Sequence, residues 1–383
     1  MATLFEYLDW RGDVPFNAVP FNEVDALLLC QLAYLDYSGL VGDSFSARVP
    51  LSAAADAFFT ADDYTRRAEL GLLINPQTVS LLRAAGASVR FGSVRMCAFR
   101  AVIDHEAEEQ FCAVTYILED GSRRRRLPGG VKPRVFVSFR GTDDTIVGWK
   151  EDFNLAFMSP VPAQKDAAEY AQQAASVFSR SALCFGGHSK GGNLALYAAM
   201  CAPASARKRL SDVYNFDGPG LTVRQTALPE YKAVAPVFRS FFPRFSVVGM
   251  LFEHAESFTA VQSTESGLMQ HDPLSWQVRR TSFETLPELD RGSWYIDRTV
   301  NGWMNSLPQE QVRQFVDVLF SLLTAADART NSDLAKDWLG SSAAILKAFT
   351  ALPSESRDLL LDVTGRLISL GWKNLHLPHL LPE

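Results

Sequence analysis

Histidine is scarce in this chain. Six imidazoles are spread over 383 residues, so any proton chemistry near neutral pH has few carriers. Cysteine is as sparse, with five residues (Cys30, Cys97, Cys112, Cys184 and Cys201), no C-x-x-C pair and no metal-ligand spacing. An odd number in mostly apolar segments reads as buried free thiols, which excludes a disulfide scaffold and calls for no metal or other cofactor. Positive charge is in deficit, at 37 Lys and Arg against 43 Asp and Glu for a net charge of −6. That balance argues against a nucleic-acid partner, and the basic run Arg123 to Arg126, beside Gly121 and Pro128, reads as a solvated loop. No apolar run reaches the roughly 20 residues that span a bilayer. The N-terminal segment carries Glu6 and Asp9 and lacks a basic flank followed by an apolar core, so the expected location is a reducing cytoplasm, with lipid contact at most peripheral.

What is present points to a folded enzyme. Hydrophobic residues make up 47% and charged residues 21%, enough to bury a large core without staples. The apolar spacing from Asn22 to Tyr37 predicts an amphipathic helix, and residues 51 to 85 read as helices with loops. Two β-rich runs, 94 to 102 and 111 to 117, should pair as a hairpin. Strand Arg134 to Arg140, helix Gln164 to Ser179, the segment around Ser189 and strand Val213 to Asp217 then alternate as in a parallel sheet covered on both faces. Two further β-like runs are expected at Arg244 to Leu251 and Phe258 to Gln262. Beyond about Trp294 the pattern turns helical, with Pro308 starting one helix and caps near Asn331 and Pro353 starting others. The expected division is a catalytic domain over residues 1–293 and a helical extension over 294–383.

The most informative stretch is Leu183-Cys-Phe-Gly-Gly-His-Ser-Lys-Gly-Gly-Asn193. An apolar strand, then Gly187-x-Ser189-x-Gly191, then a small-residue helix is the make-up of a nucleophile elbow, whose sharp turn tolerates only glycine on either side of the serine. The backbone N–H of Lys190 would open the helix as an oxyanion donor.

A serine hydroxyl needs a base. His105 precedes the sheet core, His188 lies inside the elbow, and His376 and His379 sit in a proline-containing tail, which leaves His254 and His271. His271 is preferred because Gln270-His-Asp-Pro-Leu is a loop after the last strands, where the order Ser, Asp, His of α/β-hydrolases puts the base. Asp217 ends the strand after the elbow helix and is the preferred acid, with Asp272 the competitor. Asp152 reads as a cap or ion-pair residue. The backbone N–H of Thr142, helped by its hydroxyl, is the second oxyanion candidate, on the loop after the strand ending at Arg140.

With Phe139-Arg-Gly-Thr142, Trp149 followed by Asp152, Gly187-His-Ser-Lys-Gly-Gly192 and Asn215-Phe-Asp-Gly-Pro219 in this order, residues 20 to 280 resemble the class 3 (fungal-type) lipases, nearest to a bacterial branch of that α/β-hydrolase group. The resemblance implies hydrolysis of acyl esters by Ser189 and His271, an oxyanion hole at Thr142 and Lys190, and a mobile lid at about 143–161. Two departures stand out. Such lipases usually carry leucine where this chain has Lys190, and their acid falls at a position that looks like Ser246. A thioesterase, acyltransferase or peptidase on the same fold, and a degenerate scaffold, remain open alternatives.

Overall fold

The computed structural model describes residues 2–118, 133–325, 330–336 and 338–375. The basic run Arg123–Arg126 and the tail histidines His376 and His379 lie outside them.

Eleven strands are found among the described residues: β1 (Val49–Pro50), β2 (Arg95–Asp104), β3 (Glu109–Leu118), β4 (Arg134–Phe139), β5 (Ala182–His188), β6 (Leu210–Phe216), β7 (Phe238–Pro243), β8 (Phe258–Val261), β9 (Val278–Arg279), β10 (Ser282–Phe283) and β11 (Thr285–Leu286). Nine form one mixed sheet, β1 to β8 in sequence and then β11, while β9 and β10 make a small ribbon. β1 to β4 pair antiparallel, β4 to β8 pair parallel, and β11 returns antiparallel on β8. The hairpin of β2 and β3 therefore forms as its sequence predicts.

Helices cover both faces. On the N-terminal side are α1 (Leu4–Arg11), α2 (Glu23–Leu32), α3 (Leu51–Thr60), α4 (Tyr64–Ala68) and α5 (Gln77–Ala87). Within the parallel part come α6 (Ile146–Asn154), α7 (Pro162–Val177), α8 (Lys190–Cys201), α9 (Ala204–Arg207), α10 (Val223–Thr226) and α11 (Pro229–Val234). Near the C-terminus follow α12 (Arg291–Ile296), α13 (Gly302–Asn305), α14 (Gln309–Thr324), α15 (Asn331–Lys336), α16 (Trp338–Ala351) and α17 (Ser354–Leu375). A parallel central sheet with crossover helices on both faces and a serine turn at the end of β5 is an α/β-hydrolase fold.

Strand alternation explains the two layers. Val135, Val137, Leu183 and Phe185 pack with α7 and α8, whereas Phe136 and Cys184 pack on the opposite face with α2. With both faces covered, β4 and β5 read as nearly continuous apolar runs.

Two expectations need correction. α2 is shorter than the predicted helix and is not amphipathic, since every residue from Val24 to Leu32 is buried. The sheet covers one side and α1 and α5 share the other, so Asp25 and Gln31 find their partners inside the protein. Arg90 Nη2 and Tyr7 Oη both donate to Asp25, and Gln31 donates to Thr78 at 2.7 Å. The second correction concerns Arg244 to Leu251, which is a loop with one short 3-10 turn, Val248–Met250, while the strand lies earlier, at Phe238–Pro243. The backbone there turns inward to serve a carboxylate, as described below. Four of the cysteines are buried thiols, and Cys201 is exposed.

Candidate active site

Register brings the candidate residues together before any side chain is considered. Phe139 pairs with Gly187 across β4 and β5, so the Gly141-Thr142 loop leaves the sheet beside Ser189. His188 pairs with Phe216 across β5 and β6, which puts Asp217 on the other side of the same serine. All three lie at the carboxyl end of the parallel strands, where α/β sheets place their chemistry.

Ser189 has φ 58° and ψ −136°, a conformation that residues with a Cβ seldom adopt. The turn survives because its neighbours give way. A Cβ on Gly187 would strike the Gly191 backbone, and one on Gly191 would strike the Phe139 carbonyl. Gly141 is equally confined, because a Cβ there would sit 2.6 Å from the His188 carbonyl and 3.0 Å from Ser189 Cβ. Ser189 N–H donates to the Phe216 carbonyl at 3.0 Å, fixing the turn to the next strand.

His271 Nδ1 lies 2.6 Å from Asp217 Oδ2. A carboxylate accepts, so Nδ1 carries the proton and Nε2 keeps its lone pair for a hydroxyl. Asp217 is buried, also has positive φ (49°), and is surrounded by donors: Ser246 Oγ–H at 2.5 Å and Gly249 N–H at 3.2 Å, both to Oδ1. Those donors come from the segment expected to be a strand. Asn215 shapes the turn beyond, taking Gly218 N–H at 2.9 Å and donating to the Gly218 carbonyl at 3.1 Å. Asp272 is directed elsewhere, accepting from Asn75 Nδ2 at 2.6 Å and capping Leu274 N–H at 3.0 Å. His254 faces Glu256 at 3.2 Å and packs on the Phe242 ring.

His188 is a support that sequence reasoning passed over. Its Nε2 lies 2.8 Å from the His271 carbonyl, which can only accept, so Nε2–H donates and Nδ1 accepts the Tyr34 hydroxyl proton at 2.9 Å. Burial, together with the nearby His271, holds its pKa well below the usual 6.5. It stays neutral and keeps this tautomer.

The first turn of α8 is fastened on both sides. Lys190 Nζ donates to Glu151 Oε2 at 2.8 Å and to the Gln110 carbonyl at 2.9 Å. Asn193 accepts from Gln164 at 2.8 Å and donates to the Gly220 carbonyl at 2.6 Å. Thr142 Oγ–H donates to Asp152 Oδ2 at 2.6 Å, so that proton is committed and only the backbone N–H of Thr142 is left for an oxyanion. This corrects the expected help from the hydroxyl. Burial pushes the Asp152 carboxyl up to about 6 against the opposing pull of Lys190 and Thr142. Glu151 gave no motif, yet a lysine at the head of a buried helix requires an acidic partner, and that requirement was the available signal. A cleft of about 320 Å³, bordered by Phe245, Ser263 and Gln270, flanks the loop leading to His271.

Residues 85–321, more than half of the sequence, match the family described as Mbeg1-like. The chain belongs to the Mbeg1-like family. A comparison with curated proteins finds no match. Among solved structures the Mbeg1-like chain is similar to M37 lipase, at 12% identity and TM-score 0.37 over 61% of this chain and 70% of that one. It is also similar to lipase II from Rhizopus niveus (13% identity, TM-score 0.31, 62% and 82% of the two chains). The lipase from Rhizopus microsporus var. chinensis gives 15% identity and TM-score 0.30 over 61% and 77%. Scores this low leave the Mbeg1-like fold to be carried by its own strand order. The family match runs through residue 321, past the boundary expected at 293 and into α14. Among its described residues no helix is long and apolar enough to cross a membrane, and no acidic, histidine or cysteine cluster could hold a metal ion.

Proposed function

We propose that this Mbeg1-like protein is a serine hydrolase that cleaves carboxylic esters through an acyl-enzyme. The observation that carries the reading is the 2.6 Å contact of His271 Nδ1 with the buried Asp217, at the mouth of a strained elbow that presents Ser189. Ser189 Oγ attacks the ester carbonyl carbon as its proton passes to His271 Nε2, and the carbonyl oxygen becomes an oxyanion. Lys190 N–H and Thr142 N–H are the donors assigned to it. Collapse breaks the ester C–O bond, and the alcohol leaves with the proton from Nε2. Water then adds to the acyl carbon with His271 as base, and a second collapse frees the carboxylic acid and returns the proton to Ser189. Asp217 stabilises the imidazolium in both halves and remains ionised.

The substrate class is an acyl ester or lipid-like molecule, and no step requires a cofactor. The chemistry belongs to residues 1–293 and the extension 294–383 is structural in this reading. The test is labelling by a fluorophosphonate probe. Wild type should react and Ser189→Ala should not, and hydrolysis of p-nitrophenyl esters from acetate to palmitate should follow the same pattern and report the preferred acyl length. An unlabelled wild type, or equal labelling of Ser189→Ala, would remove Ser189 as nucleophile.

A further inference from the structure

Lys190 stands between a serine and a glycine at the start of a helix whose other residues are small or apolar. A lysine there could have turned outward at little cost. Instead its side chain is 1% exposed and meets a Glu151 side chain that is 0% exposed. Burying both charges is expensive unless each is fully satisfied, so this arrangement needs a reason beyond stability. Glu151 is satisfied. Beyond Lys190, its Oε2 accepts Gln110 N–H at 3.1 Å from β3, and its Oε1 accepts Ala163 N–H at 2.8 Å from the first turn of α7. One carboxylate thus joins β3, α6, α7 and α8.

Glu151 adjoins Asp152, whose Oδ2 holds the Thr142 hydroxyl and whose Oδ1 lies 3.8 Å from Lys190 Nζ. Gly148, one turn earlier on α6, provides the surface on which Thr142 rests, since a Cβ there would sit 3.0 Å from Thr142 Cγ2. The separation of α6 and α8 therefore sets the separation of the Thr142 and Lys190 backbone N–H groups. The rest of the segment is anchored too. Asp144 accepts from Ser332 N–H at 3.0 Å, its carbonyl accepts Asn331 N–H at 2.9 Å, and Lys150 pairs with Asp317 of α14 at 2.8 Å. Ile146, Trp149, Phe153 and Phe157, apolar side chains within the span that the resemblance assigns to a lid, pack with α14 and its neighbours, with Phe153 and Phe320 rings 5.5 Å apart.

We propose that the side chain of Lys190 is a positioning residue that locks α6 to the elbow helix, fixing Thr142 beside the Lys190 N–H and making 143–161 a fixed wall in place of a moving cover. This rests on the hydrolase reading above. The double variant Lys190→Met/Glu151→Gln removes both charges at nearly constant side-chain length, and the Gln oxygen can still accept one of the two backbone N–H groups, from Gln110 or Ala163, that Glu151 holds. Glu151→Asp keeps the charges but withdraws the carboxylate by one methylene, and serves should the double variant fail to fold. In whichever is folded by circular dichroism, the rate constant for phosphonylation of Ser189 and the affinity for an alkyl boronic acid should fall together by about ten- to a hundredfold, with KM for p-nitrophenyl butyrate within about twofold of wild type. Rate constants unchanged within about twofold would overturn the role. So would a loss confined to the fraction of reactive molecules, which marks misfolding alone. A several-fold jump in wild-type rate when the substrate aggregates would show that the segment moves, and would equally overturn it. A wild type inert to the probe removes the hydrolase reading itself, whereas a reactive wild type with unchanged variants leaves that reading intact.

Discussion

Along α2, α8 and the strands between them, residue after residue is sealed from solvent; Leu27, Leu28, Leu194 and Leu196 are each 0% exposed. The C-terminal helices are built more loosely. Val316 and Val363 are buried, but Leu346, Leu361, Ile368 and Trp372 are each more than half exposed, and the layer meets the sheet domain largely through α6. The contrast locates the rigidity that the proposed chemistry needs. A serine at φ 58° and an aspartate at φ 49° persist only where surrounding structure over-determines them, and both are in the sealed region.

The sharpest way to break the sealed region is to remove its reactive groups. Under the proposed triad, in which base and acid act as one unit with the nucleophile, His271→Ala should lower kcat/KM by at least about a thousandfold and Asp217→Asn by about a hundredfold or more, each with the fold kept. Steady-state assays beside thermal melts would decide. Full activity in His271→Ala would hand the base role to another histidine, with His254 first in line.

A smaller break comes from the buried ion pair under α2. Arg90 also donates to the carbonyls of Val14, Val19 and Pro20, so Arg90→Leu would strand the Asp25 carboxylate and release the N-terminal loop. The expected cost is about 3–5 kcal/mol in urea unfolding. A loss below about 1 kcal/mol would mean that Asp25 finds another partner or protonates cheaply.

Packing variants would sharpen the comparison directly. Leu27→Ala should cost about 2–5 kcal/mol, whereas Leu361→Ala, 62% exposed in wild type, should stay within about 0.5 kcal/mol. Equal losses would show that something covers the C-terminal helices in solution.

The smallest effect is a pH dependence. His188 is held well below its usual 6.5 by burial and by His271, so below about pH 6.5 the unfolded chain takes up a proton that the folded chain refuses. Stability from this group is present above that pH and lost beneath it, at up to about 1.4 kcal/mol per pH unit. Urea midpoints at pH 8 and pH 5 should therefore diverge more for wild type than for His188→Gln. Parallel behaviour of the two would place the acid sensitivity elsewhere.

The legible parts of the molecule were those written locally. The elbow glycines, the apolar runs of β4 and β5, and the hairpin all show in a few consecutive residues. The contact of Asp217 with His271 was reachable because the strand end and the following Gly-Pro-Gly are adjacent in sequence. What stayed hidden depends on distant cover. α2 looks amphipathic until α1 and α5 close over its polar side, and Lys190 finds Glu151 from 39 residues away. Arg244 to Leu251 is apolar enough for a strand, yet Ser246 and Gly249 are drawn in to Asp217, a demand set by a residue 29 positions earlier than Ser246.

The bond from Asn75 to Asp272 carries one more implication. Asp272, the residue next to His271, is moored to a loop near the start of the chain, and the His271 carbonyl is moored through His188 to Tyr34. The Mbeg1-like match begins only at residue 85, downstream of both moorings. The matched span is thus smaller than the body that holds the His271 loop in place. Substitutions at Tyr34 or Asn75 would therefore act on the histidine loop from outside that span.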